Sequence, residues 1–488
     1  MQKKALNRRL TALDSAFLYL EHETVPMHIG GIDTFDGVID TDAFREEINA
    51  RLKFIPRYRQ RIMTTPINLG HPTWEDDPAF DIRNHIVEER LPRPGSQEQF
   101  RRVCSKLFEG MLDRSKPLWK VYVIQGLEGG KTGLLTLVHH CMVDGVSGAE
   151  LLGVLFDPTP NPKPVEPDQF KPEPLPESRE LIVEAIWDNV GEQIQNWSEM
   201  QKNLLGLARG IKGDMFMSLL RELPGLTRDI AKPVKTFPFN TRKFSGKRKL
   251  AWSDVSFREA RAIRSEVGGT VNDVVLSTLG GAVRRYLLEH GMKLERQNLR
   301  VLIPVSLRKE EQRGAMGNLV SMLPIDIPLW EKDSVRRMQG ITDRTAVLKS
   351  TRSAEWINLV NHLWQGVAPS VQALVGQAIF QPTLQNVINP FVLTPGAHMV
   401  ATNVPGPQIP LYTQGLKAER HVPLLPVAPG MGLNLGIFSY NHRLNFGLIA
   451  DTNAAPDVDR FNDFLLESYV ELRSAAGIQE AEKIEMRQ

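Results

Sequence analysis

Apolar positions recur along this chain with two periods. In "TDAFREEINARLKFIP", residues 41–56, they fall on one face of a 3.6-residue repeat and predict an amphipathic helix. "LWKVYVIQGL" (118–127) and "GLLTLVHH" (133–140) are instead short, nearly continuous apolar runs joined by the glycine-rich "EGGKT", the pattern of two buried strands and a hairpin turn. Beyond residue 245 the helical period returns in "SFREARAIRSEVGG" and "TVNDVVLSTLGGAVRRYLLEHG", each with glycine just past its last turn. Strands follow at "LRVLIPVSL" and "GNLVSMLPIDIPL", then helices through 333–380. "HMVATNVPGP", "GLNLGIFSYN" and "RLNFGLIAD" read as strands again, before a last helix at 457–475. The alternation is that of an α/β protein with two comparable halves and no short repeat.

Between the halves the pattern breaks. Eight prolines fall between residues 158 and 176, a density that favours extended, semi-rigid backbone over helix or central strand. We therefore divide the chain into an N-terminal domain (1–157), a proline-rich linker with a helical connector (158–244), and a C-terminal domain (245–488). Within the connector, Ile182, Ile186, Val190, Ile194 and Trp197 keep helical spacing. Its charges are segregated: residues 200–249 hold twelve basic against three acidic side chains, a local net of +9. Such a stretch fits either an anionic membrane surface or helices with a solvated basic face packing the domains together.

Composition narrows the function classes. With 488 residues there is ample length for two cores. A net charge of only +2 leaves no broad basic face for nucleic acid. Two cysteines, Cys104 and Cys141, are too few for a disulfide scaffold and lack metal-ligand spacing, which fits a reducing, cytoplasmic setting. The "AFLYL" near the N-terminus is shorter than a signal-peptide core, and no run of about 18 apolar residues is present to span a membrane.

Two glycine motifs fail on spacing. "GGKT" at 129–132 would need a glycine where Gln125 stands, and it joins two strands, so it is a hairpin turn rather than a phosphate loop. "GMGLNLG" at 430–436 has the wrong spacing for a dinucleotide fingerprint and marks a bend or a close approach of backbones. The serine in "GVSGA" does not form a nucleophile elbow.

The concentrated chemistry is in "VHHCMVDGVSG", residues 138–148. Strand alternation sends His140 to one face with Val138 and Thr136, and His139 to the other with Leu137 and Leu135. That split disfavours a shared metal ion, and we expect none. It suits one imidazole that moves a proton while its neighbour packs inside. Asp144 stands across a tight turn, where its carboxylate can hold the loop, and Gly145 permits close backbone approach.

His139, His140, Asp144 and Gly145 spell H-H-x-x-x-D-G, which resembles the active-site signature of acyl-CoA-dependent acyltransferases related to chloramphenicol acetyltransferase and to peptide-synthetase condensation domains. "TALDSAFLYLE" with "PMHIGG", then "LDRSKPLW", "VNDVVL", "GNLVSMLP" and "ATNVPGP", appear in the order of the bacterial wax ester synthase/diacylglycerol acyltransferase family and span nearly the whole chain. The resemblance implies two chloramphenicol acetyltransferase-like domains, each a mixed sheet with helices, around a tunnel. It implies His140 as the base that deprotonates an alcohol for direct attack on the acyl-CoA thioester, without an acyl-enzyme. His139 would support it, and Asp144 would be structural, with Arg308 in "PVSLR" as its candidate partner. Asn272, in the first turn of its helix, could face developing negative charge, while Asp273 reads as a helix cap. Pro117, Leu118 and Trp119 read as packing. No cofactor is expected, acyl-CoA being a co-substrate. The partners would be a fatty alcohol or diacylglycerol and a peripheral membrane or lipid-inclusion surface; a specialised alcohol or amine acceptor, or a non-catalytic lipid binder, are the other readings.

Overall fold

A computed structural model describes residues 8–143, 147–167, 169–187, 234–241, 243–306, 320–350, 366–380 and 396–480. Asp144, Gly145 and Arg308 lie outside these residues, as do residues 188–233 of the connector.

The first half runs α1 (Ala12–Leu20), β1 (His28–Phe35), α2 (Thr41–Arg51), β2 (Gln60–Met63), β3 (Thr73–Asp76), β4 (Ile86–Arg90), α3 (Gln97–Leu107), β5 (Trp119–Leu127), β6 (Lys131–His139) and α4 (Ser147–Leu155). The second runs β7 (Arg248–Ser256), α5 (Phe257–Val267), α6 (Val271–Glu289), β8 (Asn298–Ser306), β9 (Val320–Pro328), α7 (Ser334–Ser350), α8 (Pro369–Ala378), β10 (Met399–Pro405), β11 (Tyr412–Thr413), β12 (Leu416–Leu424), β13 (Leu433–Tyr440), β14 (Arg443–Asp451) and α9 (Val458–Ala475). Local chemistry sets several boundaries. Gly129 and Gly130 both take positive φ in the β5–β6 turn, as a tight hairpin needs. Asp273 is not the cap of α6: Thr270 is, and Asp273 returns the bond to the Thr270 amide at 2.8 Å, completing a capping box.

Two six-stranded sheets result, ordered β11-β12-β1-β6-β5-β4 and β7-β14-β13-β10-β8-β9. Both are mixed: β4 runs parallel to β5, and β10 parallel to β8 and β13, within otherwise antiparallel ladders. Strand β6 is buried on both faces, Leu134 and Val138 in one core and Leu135 and Leu137 in another, which is why its sequence is almost continuously apolar.

The two sheets do not divide cleanly at the linker. Strands β11 and β12, from the 245–488 block, add to the free edge of β1, with Asp33 opposite His421 and Gly30 opposite Leu424. β12 then passes over the second sheet where Gly436 and Gly447 face each other as a cross-strand pair. A Cβ at Gly436 would come 2.9 Å from the Pro423 carbonyl oxygen, so the bare backbone is what admits the crossing. In return, α3 covers the edge of β7: the Leu250 amide donates to Ser105 Oγ at 3.1 Å and the Arg248 amide to Glu109 Oε1 at 3.0 Å.

The basic stretch at 200–249 is likewise not one surface. Phe237 and Phe239 are buried in the second core, Arg248 is buried in an ion pair with Asp451 at 2.8 Å, and Lys249 pairs with Asp459 at 2.7 Å. Lys235, Lys243 and Lys247 stay exposed, and the remaining basic residues of the stretch lie outside the described residues. No helix among the described residues is long and apolar enough to cross a membrane.

Candidate active site

The chain leaves β6 at His139, and His140 opens a short 3-10 turn, His140–Met142. The apolar pattern predicts a strand that includes His140, whereas β6 ends at His139. The turn begins one residue earlier because the His139 side chain caps it, Nδ1 accepting from the Cys141 amide at 3.2 Å. Two backbone bonds fix the corner: the His139 amide donates to Leu118 O at 2.9 Å and the His140 amide to Met27 O at 2.8 Å.

His139 is fully buried. Its Nε2 lies 3.3 Å from Oε1 of Glu21. Since Nδ1 must keep its lone pair for Cys141, the proton of the neutral ring sits on Nε2, toward the carboxylate. Glu21, at the end of α1, has a wholly buried side chain. Oε1 also accepts from the Met27 amide at 3.1 Å, and Oε2 accepts from Arg114 Nε and Nη2 at 3.2 and 2.9 Å. Burial alone would raise this carboxyl's pKa, but His139, the Met27 amide and Arg114 together hold it down at about 2. Arg114 is pinned in turn, donating to Leu18 O at 2.8 Å. His28 lies directly opposite His139 in the β1–β6 register, its Nε2 donating to Phe108 O at 3.0 Å. Burial, and secondarily the neighbouring His139, push its pKa down to about 4.

The His140 imidazole is stacked on Phe17 of α1, ring centroids 3.8 Å apart and planes 11° apart. Its Nδ1 is buried and has no partner among the described residues. Burial, reinforced by His139, lowers its pKa to about 4, so the ring is neutral at physiological pH. A neutral, oriented imidazole at the end of a rigid strand can accept a proton from a hydroxyl.

Asn272 is the second residue of α6 and half-buried; its Oδ1 accepts from Asn403 Nδ2 of β10 at 3.5 Å. The structure thus joins two segments quoted above, "VNDVVL" and "ATNVPGP". Among the described residues, no hydrogen bond or ion pair joins Asn272 to His140. Phe17, Glu21 and Arg114 were missed as site residues, although they stand inside "TALDSAFLYLE" and "LDRSKPLW". The available signal was a lone carboxylate ending an apolar helix and a lone arginine in a turn, each cheap only if the other neutralises it.

The sequence profile of the wax ester synthase/diacylglycerol acyltransferase catalytic domain matches residues 10–275, and that of the WS/DGAT C-terminal domain residues 316–473. A Mycobacterium tuberculosis (strain ATCC 25618 / H37Rv) chain that carries the name diacylglycerol O-acyltransferase is 27% identical over 481 residues, with 96% of this chain and 90% of the relative covered. Among solved structures, the wax ester synthase/diacylglycerol acyltransferase from Marinobacter aquaeolei VT8 is similar at a TM-score of 0.64 and 24% identity, covering 96% of this chain and 100% of that one. The starter condensation domain of rhizomide synthetase is similar at a TM-score of 0.54 and 13% identity, covering 96% and 94%. Both share the two-sheet fold described above.

Proposed function

The chain belongs to the wax ester synthase/diacylglycerol acyltransferase family, and from that premise we propose that it transfers an acyl group from acyl-CoA to the hydroxyl of a long-chain fatty alcohol or diacylglycerol, with His140 as general base. The acceptor oxygen attacks the thioester carbonyl while His140 takes its proton. The tetrahedral intermediate then collapses, the C–S bond breaks, and His140 returns the proton to the departing CoA thiolate. An imidazole with a pKa near 4 cannot hold a free alkoxide in waiting, so the proton moves as the C–O bond forms, a contribution of roughly 10²–10⁴-fold. The products are an ester and free CoA, with no covalent enzyme intermediate.

The observation that carries this reading is the His140 ring itself, clamped by Phe17 and kept unprotonated at the end of β6. His139 acts through the turn, as a cap whose tautomer Glu21 selects. The roles of Asp144 and Gly145 in shaping the loop, of Arg308 as the partner of Asp144, and of Asn272 near developing charge rest on the family's signature. Water-insoluble acceptors and products favour a cytoplasmic enzyme that works peripherally at the inner membrane or at lipid inclusions.

The test is product analysis with palmitoyl-CoA and competing hexadecanol and 1,2-dioleoylglycerol. Ester and free CoA should form in equal amounts, and His140→Ala should abolish both while the far-UV spectrum is retained. Near-normal turnover by that variant overturns the mechanism; an amide product from an added amine, with no ester, overturns the acceptor class.

A further inference from the structure

Beside the loop that carries Arg114 to Glu21, two other cations, Lys116 of that loop and Lys120 of β5, come together. Lys116 and Lys120 line a cavity of about 180 Å³ whose walls include His85 and, on the apolar side, Met111 and Leu137. His85 is held rigidly between the rings of Phe80 and Trp119, at centroid distances of 5.2 and 4.6 Å, and its Nδ1 donates to Trp119 O at 2.9 Å. Both lysines act on His85, adding to the effect of burial in lowering its pKa. Lys116 has Asp113 at 3.2 Å, whereas Lys120 lies over the Tyr122 ring at 5.2 Å and has no carboxylate partner among the described residues. Asp77 is a further acid that acts on His85, and more weakly than burial. The lysines, the imidazole and the exposed Asn84 amide therefore meet a single lining carboxylate, one already paired.

We infer that this cavity binds a phosphate ester and that the phosphate is one of those of the CoA donor. The second half of the inference rests on the acyl-CoA reading proposed above. Position bears on it: Lys120 stands opposite Leu137 in the β5–β6 register, on the Leu135–Leu137 face, three residues before the turn that carries His140, and His85 precedes β4, two strand spacings or about 10 Å from β6. That is a separation which the pantetheine arm can bridge between a phosphate and a thioester at His140. Lysines as compact point charges suit a phosphate on a flexible chain, and the apolar wall suits the organic part next to it.

The experiment compares two donors with the same thioester, palmitoyl-CoA and palmitoyl-pantetheine, which lacks phosphate. The double substitution Lys116→Gln, Lys120→Gln should raise KM for palmitoyl-CoA about tenfold more than KM for palmitoyl-pantetheine, from two partly exposed charge contacts. Inorganic phosphate should compete with palmitoyl-CoA in the parent chain and no longer in the variant. Equal KM changes for both donors, no change for either, or phosphate inhibition that is the same in parent and variant overturns the inference. Failure of the reaction itself looks different: the parent chain would release no CoA with any acceptor. CoA alone, titrated calorimetrically, then decides the site, since equal binding to parent and variant also overturns it.

Discussion

Glu21 Oε1 stands 3.3 Å from His139 Nε2 inside the protein, and the same carboxylate receives Arg114 on its other oxygen. The pair ties the end of α1 to the turn that presents His140. Replacing Glu21 with Gln keeps the shape but removes the charge that selects the His139 tautomer. We expect kcat to fall roughly 10–100-fold, by analogy with loss of the carboxylate that orients a metal-ligating histidine, with KM little changed. Because Arg114 acts through the same carboxylate, Glu21→Gln combined with Arg114→Gln should cost no more than Glu21→Gln alone. Additive losses in kcat would show that the two residues act separately.

Phe17 should matter in a different way. Its ring excludes water from one face of His140 and adds a stacked pair, so Phe17→Leu should cost about 1 kcal/mol of stability. The diagnostic reading is the acid limb of kcat/KM against pH. With His140 at about 4, activity in the parent chain should persist well below pH 6.5. In Phe17→Leu, water reaches the ring, the depression relaxes, and the limb should move up toward 6.5. A limb that stays put while kcat falls would assign Phe17 to orientation alone.

Alternation along β6 was legible, Leu135 and Leu137 packing in one core and Leu134 and Val138 in another, whereas both histidine rings meet α1 and its end, His139 at Glu21 and His140 at Phe17. Where β6 ends was harder to read, since that depends on the His139 cap rather than on any apolar pattern. Strands β13 and β14 were equally legible, their apolar runs being buried on both faces, whereas β7 and β12, with more polar patterns, were not legible as strands. What "LKAERHVPL" could not reveal is its partner: β12 carries an ordinary half-polar pattern, and only the free edge of β1, almost 400 residues away, decides that it leaves its own block. Glu21 and Arg114 escaped for the same reason, as each makes sense only beside the other across 93 residues.

Stability should depend on pH through the buried imidazoles. His28, His71, His140 and His398 each have a pKa lowered to about 4, with burial as the first cause. Between pH 6.5 and 4 the unfolded chain binds protons that the folded chain refuses. Stability is therefore complete above about 6.5 and is lost as pH falls toward 4. Glu21, held at about 2, adds a loss that begins below the ordinary glutamate range and deepens through pH 2. His398 isolates one share of this effect. Its Nδ1 accepts from the Arg300 amide at 2.8 Å while its Nε2 donates to Lys235 O at 2.9 Å, a combination that only the neutral ring can make. His398→Gln should lower stability at pH 7 but flatten the urea-unfolding slope between pH 5 and 6 by up to one proton, about 1.4 kcal/mol per pH unit. An unchanged slope would mean that the ring already titrates normally.

The crossing of β12 over the second sheet gives the most direct test of how the halves are joined. Gly436 and Gly447 are paired across β13 and β14, and both lie beneath the Pro423 carbonyl. At Gly447 an added Cβ would overlap that oxygen, and backbone cannot yield as a flexible side chain can. At Gly436 the separation of 2.9 Å is also too short, but by less. Gly447→Ala should therefore destabilise the chain by about 3 kcal/mol, the upper end for overpacking, and Gly436→Ala by less. Backbone entropy argues the other way, since alanine in a strand orders more cheaply than glycine, so only the clash can produce this sign. Because Pro423 and His421 sit on the same strand, Gly447→Ala should also loosen the β1–β12 ladder. Amide exchange at residues 30–34 should then rise with that at 433–448. Exchange confined to the second sheet would show that β12 docks on β1 independently of the crossing.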